Sequence, residues 1–244
     1  VSKVKVPLTT IPRFQKEAAE IALQMSQFSV DELERLLRVN AKIAVENYKR
    51  YQAFHAETTP ELPALLAYTG IVFKRLNPKD FSAEDFGYAQ EHLRLTSFCY
   101  GLLRPLDVIR AYRLEGGVVL PELGNQTLFS YWRSRLTDTF IEDIRSAGGI
   151  LCNLASDEMK SLFDWKRVES EVRVVTPEFH VWKNGKLATI VVYTKMSRGE
   201  MTRFILKNKI GNPEELKGFS WEGFEFDESL SDERKLVFIN GMGE

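Results

Sequence analysis

Cysteine is nearly absent: Cys99 and Cys152 are the two in the chain, each within an apolar stretch. Neither belongs to a C-x-x-C motif, so both read as small core residues, with a redox pair as the other option, and the usage fits a reducing cytoplasm. Histidine is scarce as well. His55, His92 and His180 stand apart in sequence, and Glu91 beside His92 points in another direction on a helix, so neither a metal site nor a cofactor is expected. No apolar run approaches the roughly 18 residues of a membrane span. One such run, IVVY at 190–193, suits a buried strand. No stretch reads as a secretory leader. A P-loop, G-x-G-x-x-G, G-x-S-x-G and H-E-x-x-H are all missing, which removes the familiar nucleotide, hydrolase and zinc-protease signatures.

Net charge is also in short supply, at −1 over 244 residues. Its distribution says more. Residues 211–244 hold nine acidic side chains against three basic ones, so the first 210 residues carry a net +5. A mildly basic body beside an acidic tail is compatible with a local anion-binding surface.

The rest is ordinary for one α+β domain spanning 1–244, with 44% hydrophobic and 27% charged residues. Phe14, Ala18, Ile21, Ala22 and Met25 recur at helical spacing after Pro12. Ser29 and Glu32 form a capping box, and Asn40 caps a third helix with Ile43, Ala44 and Tyr48 inward. Residues 65–68 look like a short strand. Ser82 opens a helix to about 93 with an acidic first turn. A helix over 129–147 is stopped by Gly148 and Gly149, and a buried strand over 150–154 follows. Strands over 171–182 and 186–193 flank Asn184 and Gly185, the strongest hairpin signal present. A helix over about 197–209 precedes a last strand at 236–238. The mixture lacks strict βαβ alternation, which predicts a mixed sheet flanked by helices.

Four segments are polar for their apolar surroundings. In YGLLRPLD at 100–107, Gly101 lets backbone N–H groups approach an anion and Arg104 can fork onto phosphate; a structural Arg104–Asp107 pair is the other reading. YRLE at 112–115 alternates like a half-buried strand with a structural ion pair. NLASDEMK at 153–160 puts Asn153, Ser156 and Lys160 at a strand end and helix start, a common ligand position, or else Ser156 is a simple cap. Between 195 and 209, Lys195, Arg198, Arg203, Lys207 and Lys209 face Glu200 alone. If helical, Lys195, Arg198 and Thr202 share one face, which suits a phosphate backbone or a plain solvated helix.

These segments, together with DFSAEDF at 80–86 and AQEHLR at 89–94, resemble the YaaA family of peroxide stress proteins in one continuous order. The resemblance runs from about 33 to 238. It implies a cytoplasmic bacterial protein that restrains free iron under peroxide stress, with a positively charged cleft and a helix-hairpin-helix element that bind double-stranded DNA. Gly101 to Pro105 is then the expected hairpin. The family's N-terminal strand and Ser-Pro-x-Lys-Thr-like stretch have no match before Val1, Ser2 and Lys3. The expected DNA surface comprises Gly101, Arg104, Asn153, Ser156, Lys160, Lys195, Arg198 and Arg203. The alternative is an enzyme acting on a nucleotide or nucleobase in the same cleft, with Asp157 or Glu158 as acid/base.

Overall fold

Short polar side chains set the helix starts, and several sit where the sequence puts them. The computed structural model describes residues 4–241, so Val1, Ser2 and Lys3 lie outside the described part. Helix α1 (Gln15–Met25) buries Ala18, Ile21, Ala22 and Met25. Helix α2 (Val30–Leu37) begins at the capping box, in which the Glu32 carboxylate accepts from the Ser29 N–H at 2.8 Å. Helix α3 (Ala41–Ala53) begins at Asn40, whose side chain accepts from the Ile43 N–H at 3.0 Å.

The apolar run at 65–68 is not a strand. After β1 (Leu62–Pro63) the chain makes a helical turn, α4 (Ala64–Ala67), whose first two N–H groups donate to Asp107 and Pro105 carbonyls. Four consecutive apolar residues have no period to tell the two states apart. Helices α5 (Ile71–Leu76) and α6 (Ala83–His92) follow. Strands β2 (Leu95–Ser97) and β3 (Gly101–Leu103) then pair antiparallel, Ser97 opposite Gly101. The 101–105 segment is therefore part of a β-hairpin rather than a turn between two helices. The Ser97 hydroxyl closes it by accepting from the Cys99 and Tyr100 N–H groups at 3.2 and 2.8 Å. Gly101 has φ +69° and lies against Trp132, which a Cβ would meet at 2.7 Å.

Strand β4 (Val108–Ile109) pairs with β1, and residues 111–115 run without strand pairing, so the alternation at 112–115 marks no strand. Arg113 and Glu115 form the surface ion pair, at 3.3 Å. Strands β5 (Val119–Leu120) and β6 (Gln126–Thr127) pair ahead of the long α7 (Leu128–Ser146), which Gly148 and Gly149 end with positive φ. Then come β7 (Ile150–Cys152), α8 (Trp165–Glu171), β8 (Arg173–Lys183), β9 (Lys186–Ala188), α9 (Val191–Asn208), β10 (Phe224–Phe226) and β11 (Lys235–Asn240). Residues 190–193 are thus the entry to α9, where Thr194 N–H donates to Ile190 O at 2.9 Å. Their β-branched character favours a strand locally, but helix packing further along α9 overrides it.

The chain forms two compact units. One comprises residues 4–67, Leu93–Phe140 and Asp157–Trp165, the other Tyr68–His92, Ile141–Ser156 and residues 166–241. The first is built around Trp132, Tyr51 and the inward faces of α1 and α2. The second holds the five-stranded mixed sheet, in the order β10-β11-β8-β7 with β9 on β8. Strand β8 is parallel to both β7 and β11, while β9 and β10 are antiparallel to their neighbours. Phe179, Phe224, Phe238 and Met201 pack the sheet against α9. The class is α+β. No helix of the described residues is long and apolar enough to cross a membrane.

Helix α9 crosses α5 at Gly199, where an added Cβ would lie 2.3 Å from the Val72 carbonyl oxygen. Gly87, exposed on α6, meets nothing within 4 Å. Urea unfolding should therefore show Gly199→Ala destabilised by about 1–3 kcal/mol and Gly87→Ala stabilised by about 0.4–1 kcal/mol. Equal effects at the two positions would contradict the close approach. Cys99 is buried and Cys152 half-buried on the edge strand β7, both unbonded. Burial pushes both thiols up, Cys152 to about 12. A thiol reagent at pH 8 should react slowly with the native protein and promptly after unfolding.

Candidate functional site

The basic stretch at 195–209 forms the greater part of α9, and the fold neutralises most of it. Arg203 grips Asp80 with both terminal nitrogens, at 2.9 and 2.5 Å, and also donates to the Leu76 and Asn77 carbonyls at the end of α5. Its hydrogen bonds hold the Asp80 carboxyl below its ordinary value, and Asp80 in turn raises Arg203. Lys207 donates to Asp85 at 2.8 Å and Lys209 to the other oxygen of the same carboxylate.

Asp85 is 7% exposed. It also accepts from the Ser82 N–H at 2.9 Å, while its own N–H donates to the Ser82 hydroxyl at 3.1 Å, so one carboxylate both caps α6 and fastens α9. Burial alone would raise its pKa. The hydrogen bonds from Lys207, Lys209 and Ser82 outweigh that and hold it well below the usual carboxylate range. Glu200 behaves oppositely: half-buried, it is raised by desolvation, with Arg75 at 3.7 Å opposing the shift.

That leaves the N-terminal half of α9. Lys195 is exposed and, among the described residues, forms no ion pair; Arg198 is half-buried one turn further on. Thr202 does not continue an outward face. It is buried and its hydroxyl donates to the Arg198 carbonyl at 2.8 Å.

The remaining candidates divide between the units. Asn153 and Ser156 belong to the second, with Lys195, Arg198 and Arg203. Asn153 is buried and turns the chain after β7, accepting from the Ala155 N–H at 3.3 Å. Gly101, Arg104, Asp157, Glu158 and Lys160 belong to the first unit. Arg104 is bound to the buried Asp107 carboxylate at 2.9 and 3.2 Å, and Asp107 also takes the Arg104 N–H and the Thr10 hydroxyl. The structural pair is what the geometry shows there. Lys160 pairs with Asp157 at 2.9 Å within a 3₁₀ turn, Asp157–Leu162, and Asp157 is 89% exposed. Glu158 is exposed too. Among the described residues no three His, Cys, Asp or Glu side chains gather to hold a metal ion.

Sequence reading missed Asp80 and Asp85 as counter-ions. Their signal was visible as the acidic DFSAED run, but its partners lie some 120 residues away in the chain.

The family described as peroxide stress protein YaaA matches residues 2–230. A UPF0246 protein of Bacteroides thetaiotaomicron is 99% identical over 244 residues, covering 100% of this chain and 95% of that protein. One from Bacteroides fragilis is 78% identical with the same coverage. A UPF0246 protein of Crocosphaera subtropica is 38% identical over 235 residues, covering 96% and 92%.

A depressed folded-state pKa makes Asp85 a source of stability that is full above about pH 4 and is lost as pH falls through the folded value. Asp85→Asn should lower the unfolding free energy at pH 7 by about 2–3 kcal/mol, less than for a fully enclosed pair because both lysines keep contact with water. The deficit should shrink as pH drops below about 4. A deficit that stays constant down to acid unfolding would show that the charge is not its origin.

Proposed function

The chain belongs to the peroxide stress protein YaaA family, and from that membership we propose that it acts under peroxide stress in the cytoplasm by gripping double-stranded DNA through phosphate contacts and limiting iron-dependent damage there. The observation that carries this reading is Lys195, exposed on the N-terminal half of α9 and, among the described residues, in no ion pair. Contacts made by lysine and arginine to phosphate position a protein without reading sequence. They also release condensed cations from the backbone. Displaced iron would then be kept from the DNA, which ties the binding to the stress role.

Internal pairing lowers the expected strength. Arg203, Lys207 and Lys209 are committed to Asp80 and Asp85, and Arg104 to Asp107. Lys160 pairs with the exposed Asp157 and lies 5.6 Å from the Trp165 ring centre, and a surface ion pair of that kind is worth little. With Lys195 and Arg198 as the phosphate contacts of α9, about two phosphates would be neutralised, so binding should be weak, indifferent to sequence and salt-dependent. For the alternative, an enzyme acting on a nucleotide, the acid/base candidates Asp157 and Glu158 are exposed rather than enclosed.

In anisotropy titrations of unrelated duplexes between 50 and 200 mM salt, the log–log slope should lie near −2, about −0.9 for each phosphate neutralised. Replacing Lys195 and Arg198 together by alanine should weaken binding to every duplex alike and flatten the slope by about two units. Absence of duplex binding at low salt would refute the proposal.

A further inference from the structure

The first unit holds a cleft of about 130 Å³ that the duplex reading does not use. Its apolar walls are Ala19 on α1, Phe54 at the end of α3, Tyr100 between β2 and β3, and Val108 on β4. Gln15, one helical turn before Ala19, joins His55, Glu61 and Arg110 as its polar lining. Arg110 is the most constrained of these. Its backbone N–H donates to the Tyr100 hydroxyl at 3.0 Å, and one terminal nitrogen of its guanidinium donates to the Phe54 carbonyl. The guanidinium carbon lies 5.9 Å from the Phe54 ring centre, and Nε donates to Glu61 Oε1 at 3.0 Å. That ion pair uses one N–H and one carboxylate oxygen. Arg110 Nη2 and Glu61 Oε2 have no hydrogen-bond partner among the described residues. Neither do the Gln15 amide and the His55 ring nitrogens, although the His55 ring stands edge-on to Phe54 at 5.6 Å.

We infer that this cleft binds a small neutral aromatic amide, its ring against the apolar walls and its amide edge on the Arg110–Glu61 pair. Charge decides first. Arg110 already has its counter-charge, so an anion would bring a second negative group beside Glu61, and a cation a second positive one beside Arg110. The two side chains are 20% and 38% exposed, so water screens that repulsion only in part. Hydrogen bonding decides next. Nη2 offers donors alone and Oε2 accepts alone, and an amide carries the matching carbonyl and N–H in one plane. Gln15 and His55 each offer a donor and an acceptor, which suits either end of that group. Size sets the limit. A cavity of about 150 Å³ takes one benzene ring, so this cleft has room for a single ring with a short polar group. None of its lining residues is a cation proposed for the duplex, and the site stands independently of that reading.

The test is an NMR titration of the whole nitrogen-15-labelled chain with benzamide, benzoate and benzamidinium, which share size and shape and differ in charge. Benzamide should shift the Gln15 side-chain amide and the backbone amides of His55 and Arg110 together, with a Kd of about 0.1–1 mM. Benzoate and benzamidinium should bind about tenfold more weakly. Glu61→Gln keeps the shape and removes the negative charge, so benzoate should then bind at least as tightly as benzamide. Ala19→Phe should fill the cleft and abolish the benzamide shifts, while leaving the rest of the amide spectrum and any duplex binding unchanged. Benzoate binding more tightly than benzamide to the wild-type chain would overturn the proposal, as would equal affinity for all three probes. Benzamide shifts that survive Ala19→Phe, or that map away from the cleft, would overturn it too. So would the absence of any shift at about 10 mM benzamide.

Discussion

One buried carboxylate organises much of the second unit. Asp85 sits at the first turn of α6, where it returns the Ser29–Glu32 kind of capping exchange with Ser82, and it receives the ammonium groups of Lys207 and Lys209 from the end of α9. A lone charge at 7% exposure would be costly, and here every demand on it is met by a donor. Because α9 is also pinned to α5 by the Gly199 approach and to Asp80 by Arg203, it is anchored from Gly199 to its C-terminal end.

That anchoring also sets the chemistry that α9 can perform. The segment 195–209, with five cations and one acid, looks like an open basic stripe, yet its C-terminal half is electrically closed by Asp80 and Asp85. At the N-terminal half Lys195 is exposed and, among the described residues, in no ion pair. A similar division appears in the first unit, where Arg104 is spent on the buried Asp107 while Lys160 pairs with the exposed Asp157 and lies over the Trp165 ring. Cations that hold the fold and cations that face solvent are chemically the same residues. What separates them is how far the fold encloses the carboxylate: Asp85 and Asp107 are buried, whereas Asp157 is 89% exposed.

Much of the fold was legible locally. Helix starts at Ser29, Asn40 and Ser82, the stop at Gly148 and Gly149, and the Asn184–Gly185 turn are decided by groups within a few residues of one another, so their sequence signals were sufficient. Short apolar runs were not. Residues 65–68 and 190–193 have strand-like composition, but hydrogen bonds from distant carbonyls in one case and packing of α9 in the other made them helical. The family match likewise came from local motifs in a fixed order, and it needed no coordinates.

The sequence by itself determined the α+β class, the main caps and turns, and the set of charged residues from which a site can be built. Tertiary structure alone decided which of those charges are free. Arg203, Lys207 and Lys209 meet their carboxylates across more than 120 residues of chain. Local spacing carries no information about such pairings, because the energy of a charge depends on what surrounds it in space. For the same reason only the fold could bring Gln15, His55, Glu61 and Arg110 around one cleft.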